Sequence, residues 1–142
     1  KATALAAIAC NDKGDVLNVW AKLHTTCSPL LAEASAILWA VQLARTENWN
    51  YIIFEGDAKA CFDPLSSAES APDWSIRNIV CNILDLSESF SSVSFCWVSR
   101  NCNRAAHKAA SLCLLSFKPF CFHNHSLPIA LADVCKADCC PC

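Results

Sequence analysis

Two carboxylates carry the chemistry this sequence could do. Asp57 ends a mostly apolar run, Tyr51-Ile52-Ile53-Phe54-Glu55-Gly56-Asp57, and Glu33 interrupts the otherwise apolar stretch from Ser28 to Val41. A run apolar on both alternating faces predicts a strand covered on both sides, and open α/β sheets hold their ligands beyond the carboxyl ends of such strands. Carboxylates are hard oxygen donors, so the pair could share a divalent cation if the fold brings the two together.

Positioning them falls to a helix and a strand in succession. Ser28 followed by Pro29 is a helix start, an N-cap and a first helical residue, and Leu30, Ala34, Ile37, Val41 and Ala44 then recur at helical steps to an end near Glu47-Asn48. With Leu30 at zero and about 100° per residue, the apolar stripe spans about −40° to +40° and Glu33 lies near −60°. That edge position lets the carboxylate follow the helix–sheet seam toward a strand end. Periodicity alone favours the plainer reading, a boundary glutamate whose tip reaches water.

The remaining pattern surrounds this helix–strand pair. Apolar segments Ala4 to Cys10 and Val16 to Ala21 flank a polar turn containing Gly14 and predict a hairpin. After the strand comes a short helical piece from Ala58 to Leu65, broken near Pro64, and a Ser-rich loop to Pro72. Ile76, Ile79, Val80, Ile83 and Leu84 mark an amphipathic helix from about Ser75 to Phe90 that should pack on a sheet. Val93 to Val98 predicts another strand, and Asn103 should cap a last helix through Ala105, Ala109 and Leu112. Hairpin, helix, strand, helices, strand, helix is the order of a three-layer α/β domain with a mixed sheet, antiparallel at one side. Trp39 and Trp97 fit core positions; Trp49 and Trp74 sit near element ends.

Composition narrows the classes. The chain has 142 residues, enough for one core, with 54% hydrophobic and 17% charged residues, which excludes a disordered chain. No apolar run approaches the roughly 20 residues of a membrane span, so no membrane partner is expected. A net charge of −2 leaves any nucleic-acid contact to a local patch. With two glycines there is no Gly-rich phosphate loop, and no small-molecule cofactor is expected. The start at Lys1 and the lack of methionine suggest a piece of a longer product. Several of the twelve cysteines, Cys10, Cys61, Cys81, Cys96 and Cys113, stand singly in apolar segments, which favours reduced thiols in an intracellular protein. Cys135, Cys139, Cys140 and Cys142, with His123 and His125 upstream, could bind metal but hold only one C-x-x-C pair.

Gly14 in the first turn, Leu31-Ala32-Glu33-Ala34-Ser35-Ala36, Phe54-Glu55-Gly56-Asp57 and Arg100-Asn101-Cys102-Asn103-Arg104-Ala105-Ala106-His107 together resemble the ribonuclease H-like superfamily. They look most like the reverse-transcriptase-like version abundant in plants and related to the ribonuclease H modules of non-LTR retrotransposons. The resemblance covers residues 1–116 and leaves 117–142 as a C-terminal extension, partly disordered, docked at Phe117, Phe120 and Phe122 and mobile after about Lys136. A short helix from Leu127 to Val134 is expected within it.

The resemblance implies hydrolysis of the RNA strand of an RNA–DNA hybrid with two Mg²⁺ or Mn²⁺ ions held between carboxylates. It makes Glu33 and Asp57 the metal ligands and places His107 at the position of the family's last acidic residue, where an imidazole could move a proton or contact phosphate. His107 also fits a plain polar residue in a first helical turn. Arg100, Arg104 and Lys108 become candidate phosphate contacts, although a solvated helix face accounts for Arg104 and Lys108 too. The family's first, central strand and its metal-bridging aspartate precede the segment that begins here. Cleavage by this segment should therefore be impaired. The alternative is a non-catalytic nucleic-acid-binding or protein-interaction module, and a third, weaker one is a cysteine-rich metal or redox protein.

Overall fold

The structure is a computed structural model that describes residues 2–138, with side chains described through Lys136. The chain divides into two compact units, residues 1–26 with 99–142, and residues 27–98.

The first unit is built on an antiparallel sheet. Strands β1 (Thr3–Cys10) and β2 (Val16–His24) form the expected hairpin, in register from Thr3 against His24 to Ala9 against Asn18, with an irregularity at Ala9/Cys10. Asn11 makes the turn: its Oδ1 accepts from the backbone N–H groups of Lys13 and Asp15, and Gly14 takes the left-handed conformation at φ 82°. Glycine enters that region without a Cβ clash. Helix α4 (Arg104–Ser116) packs across β1 and β2, burying Ala105 and Ala109 against Val19.

The extension adds more order than its sequence suggested. Phe120–His123 forms strand β5, which pairs antiparallel with β2 and makes a three-stranded sheet in the order β1-β2-β5. Helix α5 (Ile129–Asp138) packs on α4 through Leu131 and Cys135, so the helix expected at 127–134 begins after Pro128 and runs further. Cys139, Cys140 and Cys142, with the mobility and metal binding considered for them, lie outside the described residues.

The second unit is a parallel pair of strands with helices on one side. Helix α1 (Pro29–Thr46) starts at Ser28, whose Oγ accepts from the Leu31 N–H at 3.2 Å, and buries Ala34, Ile37, Val41 and Ala44. Strand β3 (Tyr51–Gly56) pairs in parallel with β4 (Ser92–Trp97), Phe54 against Phe95 with rings stacked at 5.3 Å. Between them run α2 (Lys59–Ser66), a 3-10 turn at Trp74–Ile76 and α3 (Arg77–Ser87). Their core joins α1 through Phe62, Ile76, Val80 and Ile83.

Several expectations are corrected here. Helix α2 continues through Pro64, which removes one N–H donor without ending so short a helix. Helix α3 packs chiefly on α1, and Leu84, placed on its buried stripe, is 40% exposed. Asn103 precedes α4 but its side chain makes no capping hydrogen bond. Cys10 and Cys81 are exposed, so only Cys61 and Cys113 of the five cysteines singled out behave as buried hydrophobes. Trp97 is not a core residue; half of it is exposed. The described residues form two sheets, a three-stranded and a two-stranded one, and the edge of β3 away from β4 is unpaired among them.

Candidate metal centre

Glu33 and Asp57 converge within the second unit. Each offers a carboxylate oxygen, and these lie within 4.8 Å of one another, a spacing over which two ligands can reach one ion. Both residues are half-buried. Glu33 sits one turn into α1, directly before the buried Ala34, and Asp57 directly follows the last residue of β3.

The strand end that delivers Asp57 is held from three sides. The Val98 N–H donates to the Gly56 carbonyl at 2.9 Å, carrying the ladder past the end of β4. The Trp97 indole N–H donates to the Asp57 backbone carbonyl at 3.1 Å. Beneath lies Phe62, 2% exposed, so close that a Cβ on Gly56 would come within 2.6 Å of its ring. Only glycine fits at that point, which gives the Glu55-Gly56-Asp57 sequence a packing reason.

Glu33 is placed by the start of α1 and its contact with α2. Cys61, buried in α2, donates its thiol to the Leu30 carbonyl at 3.8 Å, tying the first turn of α1 to the helix that follows Asp57. Burial, and secondarily the negative charge of Glu33, push the Cys61 thiol up to about 11. The Glu33 carboxylate offers an oxygen within 4.8 Å of one from Asp57, so the side chain turns toward the end of β3. That decides between the two orientations its sequence position left open.

Oxygen donors of this kind suit a hard cation such as Mg²⁺ or Mn²⁺, so the donor set fits the metal that the family implies. The other candidate residues belong to the first unit. His107 lies in the first turn of α4, half-buried; Arg100 is in a 3-10 turn at Arg100–Cys102; Arg104 and Lys108 are exposed one turn apart on α4. Trp97, Phe62 and Cys61 were not recognised as site-building residues from sequence. The only signal for Trp97 was its place at a strand end beside the Gly56 register, and periodicity assigned it to the core instead.

The family model described as reverse transcriptase-like matches residues 1–113. The chain belongs to this family. The reverse transcriptase-like domain is also similar in structure to ribonuclease H1 from the halophilic archaeon Halobacterium salinarum, with 19% sequence identity, a TM-score of 0.72, and coverage of 81% of this chain and 96% of the other. It resembles the N-terminal ribonuclease H domain of a Mycobacterium tuberculosis protein solved as a fusion with maltose-binding protein, at 15% identity and a TM-score of 0.55, covering 82% of this chain and 98% of that one. At these identities the likeness speaks to the fold, which is the expected ribonuclease H-like α/β fold with antiparallel and parallel strands. No curated protein matches the sequence significantly. No helix among the described residues is long and apolar enough to cross a membrane.

Proposed function

We propose that this reverse transcriptase-like domain binds an RNA–DNA hybrid and holds Mg²⁺ or Mn²⁺ at Glu33 and Asp57. The observation that carries this reading is the convergence of the two carboxylates to within 4.8 Å at the end of β3. Metal bound there supplies Lewis-acid stabilisation of charge on a phosphodiester. The chain's own residues do the rest: Gly56 and Trp97 fix the backbone that carries Asp57, and Cys61 anchors the turn that carries Glu33.

Arg100, Arg104 and Lys108 are the phosphate contacts in this reading, exposed cations that position a strand without reading bases. His107 supplies an imidazole that contacts phosphate or moves a proton in this reading. Recognition through backbone shape and 2′-hydroxyls asks for a few such contacts and no large basic surface, in keeping with the net charge of −2. Two carboxylates make a weak centre for a two-metal hydrolysis, which depends on a ligand shared between ions. Cleavage by the chain as it stands is therefore low, and metal-linked binding is its principal activity. The non-catalytic module, retrotransposon-derived, is the second reading, favoured by the same two-carboxylate count.

The test is hydrogen exchange with and without Mn²⁺, beside an assay for release of RNA fragments from a hybrid. Mn²⁺ should slow exchange around both Glu33 and Asp57, and Asp57→Asn should abolish that protection at both. Exchange that ignores Mn²⁺ sinks the metal centre. Robust hybrid cleavage that disappears in Glu33→Gln would show a complete nuclease and overturn the low activity proposed.

A further inference from the structure

Beside the carboxylates stands a flat apolar surface that their chemistry does not use. Trp97 is the last residue of β4 and the register partner of Gly56, and its indole N–H is committed to the Asp57 carbonyl at 3.1 Å. That bond fixes the ring next to the metal ligands, yet 50% of the residue remains exposed. Elsewhere on β4 the apolar side chains on the same alternation, Val93 and Phe95, pack against the core of the unit. Only the last one reaches the strand's carboxyl end, where the ligand of an α/β sheet belongs.

An exposed indole is costly to hydrate, and one whose polar atom already has a partner has only its π-face to offer. Every nucleobase has a matching face, and sugar rings pack on indole as well. Anchoring at Nε1 also removes rotational freedom before any ligand arrives, so less entropy is lost on contact.

We propose that Trp97 is a substrate-contact residue, a stacking wall that receives a nucleotide of the strand bound at Glu33 and Asp57. This rests on the nucleic-acid reading above and adds to it a specific contact. The wall takes bases without regard to sequence, because stacking does not read hydrogen-bonding edges. Its occupant is an unpaired or frayed nucleotide, whose face is free to meet the ring.

Binding of a short RNA–DNA hybrid and of single-stranded RNA to the full chain in Ca²⁺, a hard cation that takes carboxylate oxygens, with the RNA checked to be intact, is followed through affinity and tryptophan emission and tests this apart from cleavage. The parent should bind with quenched emission. Trp97→Leu should weaken binding about tenfold, as loss of one base–aromatic stack does. Trp97→Phe keeps a ring, so it should hold affinity within about threefold while the quench disappears with the indole. Quenching that survives Trp97→Phe overturns the stacking wall whatever Trp97→Leu does, and so does a folded Trp97→Leu that binds like the parent. If Trp97→Leu does not fold, the Trp97→Phe quench decides alone. A parent that binds neither nucleic acid overturns the function proposed above, a result distinct from failure at Trp97.

Discussion

The two units solve the same packing problem with different material. The first buries small side chains, Val19, Ala105 and Ala109 with Leu131 and Cys135, between an antiparallel sheet and two helices. The second surrounds a parallel strand pair on one side with Phe54, Phe62, Phe90, Ile37, Ile76 and Ile83. Its other face is open, with Tyr51 80% and Ile53 57% exposed. Both carboxylates belong to the second unit, and the candidate phosphate contacts belong to the first. A metal centre needs ligands fixed to fractions of an ångström, and bulky interlocking side chains supply that rigidity. Phosphate contacts need charge and reach, which exposed side chains on a helix provide.

The largest effect that tests this division comes from one core truncation in each unit. Phe62→Ala should lose about 3–5 kcal/mol and Leu131→Ala about 2–5 kcal/mol in urea unfolding, because each leaves a cavity in a fully packed site. Their effects on the metal should separate. Removing the Phe62 ring takes away the wall behind Gly56 and should weaken Mn²⁺ binding by calorimetry, whereas Leu131→Ala should leave Mn²⁺ affinity near the parent's. Equal weakening in both variants would break the division, since the carboxylates would then depend on the first unit's core as well.

The reach of the sequence followed the same line. Ser28-Pro29 and the apolar steps after it located α1 closely, and the run at 51–57 located β3, because long periodic segments carry their own signal. Glu33 was harder. Its angle on the helix put it at a boundary, and only the folded chain brings its carboxylate toward that of Asp57. Strand β5 was missed because Phe120-Cys121-Phe122-His123 alternates over just four residues, too few to distinguish a strand from a loop; its partner β2 lies about a hundred positions away. Trp97 was misplaced because alternation tells which face a residue takes and not whether the core extends to the strand's last residue. The close approach of Phe62 to Gly56 has no sequence signature at all.

A smaller effect compares the buried thiols. Burial raises Cys113 in the first unit, and burial together with Glu33 raises Cys61 in the second, from 9.0 to about 11. A raised thiol is protonated in both states below pH 9, so its stabilisation is fully present there. Above pH 9 the unfolded thiol ionises first, and the contribution falls until the folded thiol titrates near 11. Two units correspond to about 2–3 kcal/mol. Unfolding free energies of the parent and Cys61→Ala, measured from pH 8 to 11, should converge as the parent loses this share. Parallel curves would mean that Cys61 is not held away from water as its burial indicates.

The smallest effect concerns how the ligand-bearing helix begins. Helix α1 has a side-chain cap, Ser28 Oγ accepting from Leu31 N–H at 3.2 Å, while α4 follows an Asn103 whose side chain makes none. Leu30 and Leu31 follow this cap, and Glu33 comes two residues later, so fraying of the first turn would move the carboxylate. Ser28→Ala should cost about 1 kcal/mol, the usual value of such a cap. If the core residues Ala34 and Ile37 alone fix Glu33, Mn²⁺ affinity will not change with that loss. If the first turn is part of the metal centre, affinity should drop by a few-fold and Ser28→Asp, which restores the acceptor, should recover it. A stability loss with unchanged Mn²⁺ affinity would therefore confine the rigidity of the centre to the core of the second unit and remove the helix start from it.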